Sequence, residues 1–137
     1  MLALKNFEKY IPYLLPFLLI FFRGLADLTV LLIGMIFLYK SYKNSNWEWI
    51  NEKWFKFSII FILYLLIINS SLSINPQDSI LYSITFLRWP IFSIALYFWI
   101  LKSDVAINKF MLSLSVVLFL IIIDVWYQII TGTDIFG

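Results

Sequence analysis

Five apolar stretches follow one another along the chain, separated by short polar breaks. They cover Tyr10–Phe22, Leu25–Tyr39, Phe55–Leu72, Pro76–Leu101 and Phe110–Ile130. A helix that spans a membrane needs about 20 mainly apolar residues, and the last three stretches reach that length. The pattern therefore predicts an all-α fold, a multi-pass transmembrane helix bundle that forms one region over residues 1–137, without an internal repeat, a linker or a domain boundary.

The first two stretches are short, and only residues 23–27 separate them. Two short helices in a tight hairpin would give five spans, whereas one long tilted helix with Arg23 and Asp27 as an i,i+4 pair would give four. The lysines favour five spans, because all of them then lie on one side of the membrane. By the positive-inside rule the N-terminus is cytoplasmic and the C-terminus is outside. These lysines are Lys5, Lys9, Lys40, Lys43, Lys53, Lys56, Lys102 and Lys109.

A cleavable signal peptide is a third interpretation of the N-terminal region. Lys5 and Lys9 precede an apolar run, and Gly24 and Ala26 are small residues at the offsets of a cleavage site before Asp27. A further apolar stretch follows directly, so cleavage would still leave a multi-span protein with the same orientation.

The longest polar segment is Ser41–Lys56, which holds three of the six tryptophans. Trp47, Ile50 and Trp54 recur at helical spacing, with charged residues on another face. This pattern predicts an interfacial helix anchored by aromatic side chains. A surface that binds lipid or a partner is the alternative.

The composition excludes several classes of protein. The chain is 63% hydrophobic and 13% charged, whereas soluble domains are about 45–50% apolar and about 25% charged. A soluble domain of this size could not bury so much apolar surface, and disorder requires the opposite composition. A net charge of +2 is too small to indicate nucleic-acid binding.

The absence of cysteine and histidine narrows the possible chemistry. It removes disulfides, a thiolate nucleophile, the usual general base and the commonest metal ligand. The sequence also lacks a phosphate-binding glycine loop, a zinc-binding helix motif and a nucleophile elbow. We therefore expect neither a metal nor another cofactor.

The fourth stretch contains a helix start and a helix breaker. Asn75 is a candidate N-cap, Pro76 suits the first helical position, and Asp78 lies where a capping-box acid would. Pro90 removes the hydrogen bond to the carbonyl of residue 86, so it should kink the helix beside Arg88.

Arg88 and Asp124 are charges inside predicted spans, where a charge costs about 2.5–3.5 kcal/mol on the insertion scale. At 1.5 Å rise per residue, both lie roughly 20 Å from the inner side of the membrane, on neighbouring antiparallel helices. An ion pair between them is therefore a hypothesis. Such a pair could hold two spans together, or Arg88 could face an anionic substrate with Asp124 as its positioner.

The C-terminal segment resembles the O-antigen ligase and polymerase family. In that family an aspartate, a tyrosine–glutamine pair, and a glycine-rich loop with an aspartate and a final glycine follow one another at this point. The corresponding residues are Asp124, Tyr127, Gln128, Gly132, Asp134 and Gly137. Short paired N-terminal spans, the turn before Pro76 and the mid-span Arg88 agree with the same family more loosely.

The resemblance implies the N-terminal third of a bacterial inner-membrane enzyme. Such enzymes transfer a glycan from undecaprenyl diphosphate to lipid A-core or to a growing polysaccharide. The family's periplasmic loop, with its essential arginines and histidine, follows the matched region, so we expect this chain alone to be inactive. The candidate substrate-binding residues are Arg88, Asp124, Gln128 and Asp134, and the motif glycines are Gly132 and Gly137.

The partners that the resemblance implies are membrane lipids, a glycan linked to undecaprenyl diphosphate, and lipid A-core. No nucleic-acid partner is expected. Two alternatives stay open at this point. One is a small transporter- or channel-like module in which Arg23, Asp27, Arg88 and Asp124 line a proton or ion path. The other is a structural membrane subunit without chemistry of its own.

Overall fold

The protein is helical throughout its described part. The structure is a computed structural model that describes residues 2–133, and the side chains of residues 10–22 and 24–133. It is 87% helix, and these residues form no strand. The elements are α1 (Leu2–Phe21), α2 (Arg23–Lys43), a 3-10 turn (Glu48–Asn51), α3 (Lys53–Tyr64), a first π-turn (Leu65–Asn69), α4 (Pro76–Phe86), α5 (Arg88–Ala95), a second π-turn (Leu96–Ile100) and α6 (Asp104–Thr131).

Three helical segments of the described chain are long and apolar enough to cross a membrane: Gly24–Lys43, Pro76–Ile100 and Asp104–Thr131. A shorter apolar helix covers Tyr10–Phe21. The helix that begins at Lys53 runs through the first π-turn to Ser71, which corresponds to roughly 28 Å. The expected all-α membrane architecture is confirmed, and the number of five spans stays a prediction.

Residue contacts divide the chain into two compact units. We call the first the α1–α6 unit; it takes the described residues up to Asp27 and from Ile100 onward. We call the second the central unit, and it covers Leu28–Trp99.

In the α1–α6 unit, the two long helices pack against each other. Pro12 and Pro16 are fully buried within α1. The hydroxyl of Ser113 on α6 donates to the carbonyl of Tyr13, in the turn before Pro16, and this bond ties α6 to α1. Polar side chains of a neighbouring helix commonly satisfy backbone groups in this way within membranes.

The break between the first two helices is shorter than the sequence predicts. Residues 23–27 were expected to separate two apolar stretches, but all of them belong to α2. Only Phe22 is non-helical, and its carbonyl accepts the first hydrogen bond of α2, from the amide of Ala26 at 2.7 Å. The chain therefore contains two separate helices here, rather than one uninterrupted helix.

The central unit is built around an antiparallel hairpin, in which α3 and the first π-turn pack against α4 and α5. Its buried core includes Val30 and Ile33 from α2, Ile62 from α3, and Ile94 and Ala95 from α5. Gly34 lets α2 approach α5 closely, because a Cβ atom added there would lie 3.2 Å from Cγ2 of Ile91.

The predicted interfacial helix over Ser41–Lys56 is wrong in its secondary structure. The segment contains the end of α2, a turn in which Ser45 adopts φ 50°, the 3-10 turn and the start of α3. Trp47 and Ile50 are exposed, and the buried tryptophan of the segment is Trp49. A tight turn replaces the helix because the chain must reverse between α2 and α3 within a few residues.

The fourth predicted span is interrupted next to Arg88. Leu87 separates α4 from α5, its amide bonds the carbonyl of Ile84, and the bond from Ile91 to Leu87 is stretched to 3.5 Å. The helix is thus interrupted three residues before Pro90, and the kink that Pro90 predicts stays a prediction. Asn75 occupies the N-cap of α4, but its side chain makes no capping hydrogen bond, so that part of the expectation is wrong.

Candidate functional site

A polar cleft of about 540 Å³ lies at one end of the central unit, between the first π-turn and α4. Seven of its nine lining residues carry a hydroxyl, amide or carboxylate group. The lining residues are Leu65, Asn69, Ser73, Asn75, Asp78, Ser79, Tyr82, Ser83 and Phe86. We call this end of the hairpin the cleft end.

Serine hydroxyls hold the two walls of the cleft together. Ser70 is only 2% exposed; its Oγ donates to the carbonyl of Leu65 at 2.9 Å and lies 3.2 Å from Oγ of Ser79. Ser83 is buried too, and its Oγ donates to the carbonyl of Ser79 at 2.8 Å. The contact between Ser70 and Ser79 joins the end of the π-turn to α4 beside the cleft, whereas the other two bonds each lie within one helical segment.

The π-turn contributes directly to the shape of the site. A π-turn inserts one extra residue into a helical turn, and such turns occur frequently at functional sites. Here it brings the carbonyl of Leu65 within reach of the hydroxyl of Ser70, five residues later. The same turn ends at Asn69, which lines the cleft.

The chemistry of the lining favours a neutral, hydroxyl-rich ligand. Asp78 is the single charged residue among the lining residues, so the cleft offers no cation to an anionic group. Amide and hydroxyl groups can both donate and accept hydrogen bonds. Asp78 lies in the first turn of α4, where the helix dipole stabilises its negative charge.

Sequence reasoning missed most of these residues. It singled out Asn75, Pro76 and Asp78 only as a helix start. A signal was nevertheless present, since Ser79 and Ser83 are four residues apart and therefore share one face of a helix.

Arg88 lies farther along the same hairpin, at the start of α5. It is half-buried, its Nε is buried, and its guanidinium carbon lies 5.6 Å from the centre of the Trp89 ring. A small cavity of about 70 Å³ borders it, formed otherwise by Val30, Leu31, Gly34, Met35, Leu38 and Ile91. The walls of this cavity are apolar apart from Arg88.

The other candidate residues belong to the α1–α6 unit. Asp124 is half-buried on α6 and Gln128 is exposed. Because Arg88 belongs to the central unit, the pairing of Arg88 with Asp124 stays a prediction.

The glycine turn at the end of α6 is confirmed in part. Gly132 has φ 75°, a left-handed conformation that suits glycine, and its amide bonds the carbonyl of Gln128 at 2.8 Å. Asp134 and Gly137, the remaining candidate positions, lie outside the described residues.

The described residues contain no group of three or more acidic side chains that could hold a metal ion. The chain matches no protein-family model, no curated protein and no solved structure.

Proposed function

We propose that the chain crosses the membrane five times, with its N-terminus in the cytoplasm and its C-terminus outside. Contacts within each unit support this orientation. Nζ of Lys40, at the end of α2, lies 4.1 Å from the Trp99 ring centre, at the end of the second π-turn. Nζ of Lys109 lies 5.5 Å from the Tyr13 ring centre, near the start of the first apolar stretch. Lysine-bearing helix ends are thus neighbours in both units, as the positive-inside rule requires.

Thiol labelling tests this orientation. The chain has no cysteine, so single cysteines at Lys43 and at Thr133 report one position each. In intact spheroplasts, an impermeant thiol reagent should label position 133 and not position 43, whereas both should react after lysis. The reverse pattern in intact cells would overturn the orientation.

We propose further that the chain is the N-terminal membrane portion of an O-antigen ligase-like protein in a bacterial inner membrane. In the whole protein, glycan would pass from undecaprenyl diphosphate to lipid A-core or to a growing polysaccharide. The polar cleft is the observation that carries this proposal. It offers uncharged hydrogen-bonding groups, and in the proposed topology it lies at the external surface, where such a glycan is handled.

The reaction would be a displacement at the anomeric carbon of the donor sugar. An acceptor hydroxyl forms the new glycosidic bond, loses its proton, and displaces the diphosphate, which keeps the electrons of the broken C–O bond. Cationic groups are needed to stabilise that leaving group. We assign Arg88, Asp124, Gln128 and Asp134 as candidate substrate contacts, with Gly132 and Gly137 shaping the loop after α6.

A binding assay tests the role of the cleft. The full chain in nanodiscs would be incubated with a photoreactive polyprenyl-diphosphate-linked oligosaccharide. Asp78→Asn should reduce cross-linking, because Asp78 lines the cleft. Asp104→Asn is the matched control, since Asp104 occupies the first turn of α6 in the other unit. Equal cross-linking by both variants and the parent would overturn the assignment.

A transfer assay tests the expected incompleteness of the chain. Histidine is absent, and the external loop of the resembled family would follow the matched region. We therefore expect the purified chain, supplied with donor and acceptor, to transfer no glycan. Transfer by this chain alone would contradict the proposal that it is only one portion of the enzyme.

A small transporter- or channel-like module is the alternative, and the charged residues inside candidate spans favour it. The cavity beside Arg88 does not support a transporter-like module, because about 70 Å³ of apolar space offers an ion no polar path. Proton or ion flux through proteoliposomes that contain the chain would favour the transporter over the transferase. A purely structural subunit would show neither flux nor glycan cross-linking.

A further inference from the structure

An aromatic cluster closes the central unit at the end opposite the cleft. Its centre is Trp49 in the 3-10 turn, which is 5% exposed. The Trp49 ring centre lies 5.5 Å from that of Phe37, 5.1 Å from that of Phe55 and 5.8 Å from that of Trp47. The cluster thereby joins the end of α2 to the start of α3. We call this end of the unit the lysine end.

Large apolar side chains surround this buried centre and remain exposed. Trp47 and Ile50 are 42% exposed, and Trp54 is 38% exposed. Tryptophan favours the boundary between lipid headgroups and acyl chains, since its ring is apolar and its N–H can donate a hydrogen bond. The lysine end lies at the terminus of α2, a helix that could cross the membrane, and in the proposed topology these side chains lie at that boundary.

Lysines give the same surface a positive charge. Between residues 40 and 56 there are four lysines and two glutamates. Lys43, Lys53 and Lys56 are exposed, and Nζ of Lys56 donates to Oδ1 of Asn51 at 3.3 Å. Nζ of Lys40 lies over the Trp99 ring. The chain between residues 40 and 56 therefore carries both these cationic groups and the exposed side chains of Trp47, Ile50 and Trp54.

The indole N–H of Trp49 adds an independent observation. It is buried and finds no acceptor among the residues that the structure describes. A buried donor normally has a partner, so the natural acceptor would come from outside this part of the chain. A membrane surface supplies lipid phosphate and ester oxygens as acceptors.

We propose that the lysine end is a binding site for the headgroup of an anionic phospholipid. The lysines attract the phosphate, the exposed apolar side chains contact the upper acyl chains, and the N–H of Trp49 donates to a lipid oxygen. A basic cluster beside a membrane helix attracts anionic lipid by this mechanism. The proposal depends on membrane insertion and not on glycan transfer.

The simplest competing explanation is an ordinary aromatic belt, which would not distinguish anionic from zwitterionic lipid. Charge complementarity favours the anionic lipid, because a belt requires tryptophan and no excess of lysine. A protein partner with an acidic surface would satisfy the lysines equally well. It would leave lipid binding unaffected by the charge of the headgroup.

Tryptophan quenching by brominated lipids tests the proposal with the full chain. Trp89→Phe and Trp126→Phe first remove two tryptophans outside the cluster. The chain is reconstituted in phosphatidylcholine nanodiscs with equal mole fractions of brominated phosphatidylglycerol or brominated phosphatidylcholine. We expect stronger quenching by phosphatidylglycerol, and we expect high salt to reduce that preference because it screens the lysines.

A matched pair of double variants locates the site. Lys53→Gln with Lys56→Gln should weaken the association of phosphatidylglycerol roughly thirtyfold, given the contribution expected of each lysine at a charged surface. Lys102→Gln with Lys109→Gln removes the same charge from the α1–α6 unit and should leave the preference unchanged. Trp49→Phe keeps an aromatic ring at this position but removes the indole N–H, and it should weaken the association of phosphatidylglycerol severalfold.

Three results would overturn the proposal. Equal quenching by both lipids in the parent would indicate a belt without headgroup preference. Equal losses in the two double variants would indicate general surface charge instead of a site. A preference that survives Lys53→Gln with Lys56→Gln would place the anionic lipid elsewhere. Unchanged binding by Trp49→Phe would remove that N–H from the site.

Discussion

The two ends of the central unit are built from the same helical hairpin and have opposite chemistry. The cleft end is open, and most of its lining residues carry a hydroxyl or amide group, with one carboxylate. The lysine end is closed by rings that pack around Trp49 in tilted and edge-to-face contacts, and its surface combines exposed tryptophan with lysine. The ends are separated by roughly 25 Å of helix, so one hairpin can serve two different environments.

The difference shows how polar groups are satisfied at each end. At the cleft end, buried hydroxyls such as those of Ser70 and Ser83 bond to helix carbonyls, which leaves the outer polar groups for a ligand. At the lysine end, burial of aromatic surface stabilises the turn, and the N–H of Trp49 stays without an acceptor among the described residues. We infer that the first end recognises polar groups and that the second anchors the unit at the membrane.

The largest expected loss of stability is at the lysine end. Trp49→Ala removes a ring that contacts Phe37, Trp47 and Phe55, and a large-to-small change in such a core costs about 3–5 kcal/mol. Unfolding of the purified protein by a denaturing detergent would measure this loss. Trp47→Ala should cost clearly less, because that ring is partly exposed. Equal losses would mean that the cluster has no buried centre.

The next effect tests the serine bonds at the cleft end. Ser70→Ala removes the bonds to Leu65 and Ser79, and we expect a loss of about 1 kcal/mol, as for other polar contacts between membrane helices. Ser71→Ala is the control, because Ser71 is exposed and its hydroxyl bonds only within its own helix turn. The same unfolding assay would detect the difference. A greater loss in the control would show that Ser70 does not hold the cleft walls together.

A smaller loss of stability is expected at the lysine end, where Lys40 contacts the Trp99 ring. Lys40→Gln removes the cation from the face of the Trp99 ring, which we expect to cost about 0.5–1 kcal/mol. Lys43→Gln changes the same charge at an exposed position and should be nearly neutral. Thermal unfolding of both variants in one detergent would separate the two contributions. If the variants behave alike, the ring contact contributes nothing measurable.

The smallest effect on stability is expected at the open wall of the cleft. Tyr82 is 76% exposed, so Tyr82→Phe should change the free energy of unfolding by less than about 0.5 kcal/mol. Glycan cross-linking should nevertheless fall, since the hydroxyl is lost from a lining residue. A clear loss of stability would show that this wall is part of a closed core, and the contrast between the two ends would then fail.

Much of the architecture could be predicted from local patterns. The apolar stretches predict the helices that could cross a membrane, and Gly132 predicts the turn that ends α6. Each of these features depends on residues that are close in sequence. A glycine tolerates a positive φ without help from the rest of the fold.

The candidate cleft could not be predicted in the same way. Its walls come from the first π-turn and from α4, and it exists because Ser70 meets Ser79 across the hairpin. The choice of Trp49 as the buried tryptophan likewise depends on Phe37 and Phe55, which lie on different helices. The periodicity within Ser41–Lys56 placed Trp47 and Trp54 on one face of a predicted helix. It gave no information about contacts with Phe37 or Phe55.

The sequence by itself determined a helical membrane protein, its lysine asymmetry and the positions of its breakers, because hydrophobicity and backbone restriction act locally. The tertiary structure decided which polar side chains share a cleft, which tryptophan is buried, and that Arg88 borders an apolar cavity beside Gly34. These features depend on contacts between residues far apart in the chain. The free energy of such contacts is set by packing and by the pairing of buried polar groups, which become defined only when the helices meet.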